Sequence, residues 1–326
     1  MTRDRELHIG VTPWAYDAET SADRLAEQAE LAESLGYHSF WLPESHFTGR
    51  TANPAPLLLL AAVAARTRRM AVATTSFLLP VRHPLHVAAE VAVLDRLSEG
   101  RVILGVGRGF RRALFDAFDV PPAEKRDRFE AALVVMRDAW QGRPVVLGEE
   151  EASSPITLSP LPLQSPRPPV WVAAFGPKAL AQAGRLGLPY LASPMESLSQ
   201  LEANYAAHRE TLTGGHDDAP LAVPVMRTVF AHRDPELLRR VRDGLTREAA
   251  ALARAPLAAI RRAGAASLDD RVLVGEPDAV AHDIERYREK LGMTHLVVRS
   301  PVPAAREEEV VESLQHLSTL CRARGA

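Results

Sequence analysis

Four apolar, β-prone segments begin at Leu7, His38, Met70 and Arg101, so the spacing is 31 or 32 residues each time. They read "LHIGVTPW", "HSFWLPE", "MAVATTSFLL" and "RVILGVG", and a helical pattern follows each of them. A strand–helix unit of ~30 residues makes successive strands parallel, because a parallel neighbour is reached only through a crossover. The second half continues the series with "VWVAAFG", "LPYLAS", "LAVPVMRTVFA" and "HLVVRS". Eight such units favour an α/β chain of the (β/α)8 TIM-barrel class over an open sheet. Two stretches interrupt the repeat. The Pro-rich residues 143–167 form an insertion of short strands and turns after helix four, and an Arg/Ala-rich helical region, residues 235–264, forms one after strand seven. No linker divides the chain, so residues 1–326 are expected to be a single domain.

Composition excludes some partners. The net charge is -2 and no long run carries one sign, so neither nucleic acid nor an anionic membrane is expected as a partner. The longest apolar run, Ala55–Ala65, is too short to span a bilayer. Cys321 is the one cysteine and the first ten residues have no signal-peptide core, so a cytoplasmic location is expected. Glu44 with His46, or His83 with His86, lack the further ligands a metal needs, so no metal is expected.

In such barrels chemistry sits where strands end at their carboxyl side. Strand two ends in "PESH", which places Glu44 and His46 on that rim as candidate catalytic groups. Strand three ends in Thr75, Ser76 and Phe77, and the small hydroxyl residues Thr75 and Ser76 let a flat ligand lie against the backbone. Strand four ends in "GVGRGF", where Gly107 and Gly109 admit close backbone approach and Arg108 adds a fixed cation. A guanidinium matches phosphate because its fork donates two parallel hydrogen bonds. Strand five ends in Phe175 and Gly176, opening a helix whose free amides, with Lys178 nearby, can hold an anion. Trp14, Phe77, Phe110 and Met195 are candidate walls of an apolar or aromatic substrate pocket.

The stretch "LLPVRHPLHVAAEVAVLDRLSEGRVILGVGRGF", Leu78 to Phe110, and the later "LSPLPLQSPRPPVWVAAFG" resemble the bacterial-luciferase-like flavin-dependent oxidoreductases. The resemblance runs over nearly the whole chain. It implies a (β/α)8 barrel, a homodimer, and FMN or the deazaflavin coenzyme F420 at the carboxyl rim. By the same resemblance Arg108 matches an arginine that contacts the FMN phosphate, and Thr75 to Phe77 matches a bulge with a non-proline cis peptide beneath the flavin ring. Luciferases proper have two histidines after the glutamate of strand two, and the first is catalytic. Ser45 stands there in this chain, and a one-residue shift makes His46 the counterpart of the catalytic histidine of deazaflavin members. At strand five the family's phosphate contacts are not matched, which leaves Lys178 and the amides from Gly176 for that role.

The resemblance implies three functions. One is a two-component FMN-dependent monooxygenase, in which a separate flavin reductase supplies reduced flavin and oxygen is transferred to a small organic substrate. The second is an F420-dependent oxidoreductase in which hydride moves and His46 trades the proton, a step suited to an imidazole near pKa ~6.5. The third is a flavin-binding protein without catalysis.

Overall fold

The computed structural model describes residues 6–146, 154–212, 221–254, 261 and 264–322. These fall into two compact units. One comprises the described parts of Met1–Tyr16, Glu27–Trp41 and Val172–Ala326; the other comprises Asp17–Ala26 and Leu42–Trp171.

In the first unit, β1 (His8–Val11) lies parallel between β2 (Ser39–Leu42, of which Ser39–Trp41 belong here) and β10 (His295–Arg299). β10 pairs with β8 (Pro224–Ala231), and β8 pairs with β9 (Val272–Gly275). The end of β6 (Val170–Ala173) pairs with β7 (Tyr190–Leu191), and Ala192 just beyond bridges to Val225. All these pairings are parallel, as the repeat requires. Crossover segments include α6 (Pro177–Arg185), α7 (Leu198–Glu210), α8 (Pro235–Leu252), α9 (Pro277–Leu291) and α10 (Glu307–Arg322). Ser197 caps α7 in a capping box with Gln200, and Asp234 caps α8, so both helices start where their sequences offer an acceptor. Val11, Phe40, Trp41, Phe230 and Val298 are fully buried. Gly10 lets Ser39 and Trp41 close in, because a Cβ there would stand 2.3 Å from Ser39 Oγ and 2.5 Å from Trp41 Nε1.

The second unit is built on β5 (Val102–Gly107), with β3 (Ala71–Thr74) and then β4 (Phe77–Leu78) pairing parallel to it. Its helices are α2 (Pro56–Arg66), α3 (Pro84–Leu97), α4 (Arg112–Ala117) and α5 (Lys125–Trp140); α5 buries Phe129, Leu133, Met136 and Trp140. The stretch Asp95–Arg101 is structural. Asp95, fully buried, accepts from the amides of Leu163 and Gln164 and from the Gln164 side chain. Arg101 donates to the carbonyls of Ala64, Thr67, Met70 and Ser98, tying the end of α2 to β5. Free carbonyls at a helix end are satisfied by such a cation.

Three local features bear on the sequence reading. The single strand expected over Met70–Leu79 is broken at Thr75–Ser76, a non-proline cis peptide that falls in the bulge the family resemblance implies for Thr75 to Phe77. The Pro-rich stretch after α5 holds an antiparallel bridge between Val145 and Ile156 and cis bonds before Pro160 and Pro166; residues 147–153 lie outside the described residues. The stretch after β8 contains α8 and then the extra strand β9, which the helical reading did not foresee; residues 255–260 and 262–263 lie outside the described residues. Among the described residues no helix is long and apolar enough to cross a membrane, and no group of three or more His, Cys, Asp or Glu could hold a metal.

Candidate active site

Beyond Leu42, the strand leaves the sheet because Pro43 cannot donate to a ladder. The turn is rebuilt by Asn53, whose side chain donates to the Pro43 carbonyl at 2.7 Å while its backbone exchanges two 2.9 Å hydrogen bonds with Ser45. Ser45 Oγ donates to the Thr51 carbonyl, so this hydroxyl is committed to the turn. The same geometry turns Glu44 and His46 inward, with side chains 0% and 7% exposed.

Glu44 is the hub of this corner. Its Oε2 accepts from the Leu78 amide at 2.9 Å, and its Oε1 accepts from Arg82 Nη1 at 2.7 Å. His46 Nε2 lies 2.5 Å from the same Oε1. A carboxylate has no hydrogen to give, so Nε2 donates and the imidazole is held in one orientation. No described residue bonds Nδ1, which leaves that nitrogen to take or give a proton. Glu44 itself is enclosed, so it acts on a ligand through His46. Arg111 Nη1 donates to the His46 carbonyl at 3.1 Å, which joins the segment after β5 to this corner.

The sequence put Thr75, Ser76 and Phe77 at one strand end and Gly107 at another, and the structure joins them. Thr75 N donates to the Leu42 carbonyl, and Leu78 pairs with Gly107. A Cβ at residue 107 would stand 2.2 Å from Ser76 Oγ and 3.0 Å from Ser76 Cβ, so glycine is what lets the cis Thr75–Ser76 unit lie on β5. Phe77 is 2% exposed, with its ring under the Arg82 guanidinium at 4.0 Å. It therefore presents backbone, rather than an open aromatic wall.

Arg108 and Gly109 follow directly, and Gly109 holds a φ of +70°. Burial, and then the neighbouring charge of Arg126, draw the Arg108 guanidinium down to about 10. Lys125 is lowered by burial, Arg108 and Arg126 together. Three cations close enough to perturb one another make a site for an anion. Phe110 is 61% exposed beside them.

The remaining expected residues lie in the first unit. Phe175 and Gly176 follow β6, and Gly176 (φ +89°) precedes α6 as its cap, its carbonyl accepting from Ala179 and Leu180. Lys178 is exposed in the first turn of α6. Trp14 is 8% exposed and lines a cavity of about 330 Å³ with Glu248, Arg299, Val302 and Val310. Its backbone amide donates to Gln28 Oε1, and its indole N–H has no partner among the described residues. Met195 sits on the loop after β7, pinned by the wholly buried Arg227, which donates to the carbonyls of Ser193 and Glu196.

The model of the luciferase-like monooxygenase family matches residues 7–295. The chain belongs to that family. Within the luciferase-like monooxygenases it is 30% identical over 176 residues to the oxygenase component of the flavin-dependent trigonelline monooxygenase of Acinetobacter baylyi, covering 53% of this chain and 49% of that protein. The chain spans about half the length of the curated relatives it matches. Solved structures match more completely. Monooxygenase RslO1 of Streptomyces bottropensis superposes with a TM-score of 0.79 at 28% identity, over 96% of this chain and 98% of that one. The FMN complex of the oxygenating constituent of 3,6-diketocamphane monooxygenase from Pseudomonas putida gives 0.77 at 22%, over 97% and 98%. An F420-dependent secondary alcohol dehydrogenase with an F420–acetone adduct gives 0.73 at 20%, over 97% and 99%. The last two, under a quarter identical, show a shared α/β fold.

Sequence reasoning missed Arg82, Lys125, Arg126, Phe47 and Phe118. Arg82 is two residues past a proline, in a stretch with no helical or strand period. The others sit on a turn and on a segment after β5 that pattern alone does not fold back.

Proposed function

We propose that this chain is a two-component FMN-dependent monooxygenase. It would act as one catalytic domain, cytoplasmic and homodimeric, and receive reduced flavin from a separate reductase. The observation that carries the reading is Arg108, half-buried beside Arg126 and Lys125 and drawn down to about 10 by burial and by the Arg126 charge. A phosphate dianion would offset that burial and repulsion, as charge-assisted hydrogen bonds do. The donor set and the Ser76–Gly107 cradle both fit a flavin phosphate with a flat ring. Within the first unit, Phe175, Gly176 and Lys178 are a candidate anion anchor and Trp14 and Met195 candidate substrate contacts; within the second, Phe110 is one.

Reduced FMN with oxygen supplies the oxygen-transfer chemistry. Arg108, Lys125 and Arg126 hold the phosphate. Ser76, Phe77, Gly107 and Gly109 offer backbone to the ring, because glycine admits a close approach. Glu44 fixes the Nε2–H form of His46, and Nδ1 holds or moves the proton that the reacting oxygen requires. Closure of the corner around His46 keeps water from that proton.

The second reading is F420-dependent hydride transfer to or from a small organic substrate, favoured by a single imidazole poised at Nδ1 by a buried carboxylate. The third is a flavin binder without turnover. Titrating the protein with reduced FMN and with reduced F420, and then adding oxygen or a panel of alcohols and ketones, separates them. Tight binding of FMN with oxygen consumption supports the first reading. Binding of F420 alone with hydride transfer replaces it with the second, and binding without turnover replaces it with the third.

A further inference from the structure

The approach to His46 is walled by two side chains that no functional reading has used. Phe47 directly follows His46 and is 61% exposed, and Phe118, just past α4, is 41% exposed. The Phe118 ring meets the imidazole edge-on at 5.3 Å, the Phe47 ring stands 5.8 Å from it, and the two phenyl rings are 6.3 Å apart at 36°. They lean over an imidazole only 7% exposed, although both rings are themselves open to solvent. Phe47 also holds a φ of +57°. Bulky side chains avoid that region, where asparagine or glycine sits at little cost, and such outliers persist where a function holds them.

We propose that Phe47 and Phe118 form an aromatic gate over His46 that selects a substrate with a flat, unsaturated ring. The gate rests on the reading of His46 as the proton-moving group of the site. Offset or edge-to-face contacts place ring centroids ~4.5–7 Å apart, so at 6.3 Å the two rings already touch each other. A substrate ring must therefore replace their mutual contact with its own faces. A saturated ring or an alkyl chain lacks the quadrupole that rewards this exchange.

The test reads His46 directly. Diethyl pyrocarbonate acylates free imidazole, and peptide mass spectrometry follows the modification of His46 in wild type and in the Phe47→Asn/Phe118→Ala double variant. The gate requires modification to be about tenfold faster in the double variant, because the cover is gone. Benzamide should slow it about fivefold in wild type, while cyclohexanecarboxamide changes it less than about twofold. Neither probe should protect the double variant. Phe118→Leu, which keeps apolar volume without a ring, should restore slow modification but not the preference for benzamide, and it serves as the reporter if the double variant fails to fold. Equal rates with and without the rings, or equal protection by the two probes, overturn the gate. None of these readouts uses flavin, so failure of FMN to bind would remove the oxygenase reading and leave this result standing on its own.

Discussion

Glu44 Oε1 lies 2.5 Å from His46 Nε2 and 2.7 Å from Arg82 Nη1, so one enclosed oxygen serves both an imidazole and a guanidinium. The other oxygen takes the Leu78 amide, which carries the arrangement into β4 and from there to Gly107. The carboxylate therefore orients the proton-moving residue and braces the segment on which the flavin is proposed to lie.

Replacing Glu44 by glutamine should damage both roles. An amide cannot neutralise Arg82, and breaking a buried pair by removing one partner costs roughly 3–5 kcal/mol. Urea denaturation should show that loss. His46→Ala should instead abolish turnover while flavin fluorescence quenching reports nearly unchanged FMN affinity. Full turnover in His46→Ala would remove the imidazole from the chemistry.

Arg108→Ala should weaken FMN binding by ~1.5–3 kcal/mol, the range of a hydrogen bond to a charged group. Riboflavin, which lacks the phosphate, should bind both proteins alike. An equal loss for the two flavins would place Arg108 under the ring or in the scaffold instead.

Gly107→Ala tests the cradle. The new Cβ would press on Ser76 Oγ at 2.2 Å, so the variant should lose ~1–3 kcal/mol of stability and most of its FMN affinity. Ser76→Gly in the same chain removes both offending atoms and should recover part of the stability. A non-additive double-mutant cycle is the expected readout.

Stability should fall in mild acid because of a histidine cluster in the first unit. His8 opens β1, His38 precedes β2 and His295 opens β10, with ring centroids 4.3 Å apart for His8–His38 and 4.8 Å for His8–His295. Burial, then His8, lowers His38 to about 4; burial, then His8 and His38, lowers His295 to about 3. The unfolded chain takes up protons near 6.5 and the folded chain does not, so stability is full above pH 6.5 and declines as pH falls toward 4 and then 3. The loss for the two groups together should be on the order of 5 kcal/mol by pH 4.5. Denaturant midpoints at pH 7 and 4.5 check it, and His295→Asn should flatten the dependence.

Phe47→Asn should raise the melting temperature slightly. Asparagine tolerates φ +57°, and relief of ~0.5–1 kcal/mol corresponds to about 1–3 °C in a chain of this size. A lowered melting temperature would mean that the ring contact with Phe118 outweighs the backbone cost.

The sequence by itself determined the alternation of strands and crossover helices, since period and spacing are local properties that chain geometry converts into parallel pairing. It also marked the strand ends on which the proposed site is built, because Glu44, His46, Thr75, Ser76, Gly107 and Arg108 all follow apolar runs directly. The family pattern around Asp95 and Arg101 was legible too, although its residues hold α2, β5 and the Pro-rich stretch together and touch no proposed ligand. Only the tertiary structure decided who partners whom. That Glu44 is shared by His46, Arg82 and the Leu78 amide, that Lys125 and Arg126 crowd Arg108, and that Phe47 and Phe118 lean over one imidazole all depend on contacts between segments with no common period. Hydrogen bonds and charges act over a few ångströms in space, whereas sequence patterns report neighbours along the chain.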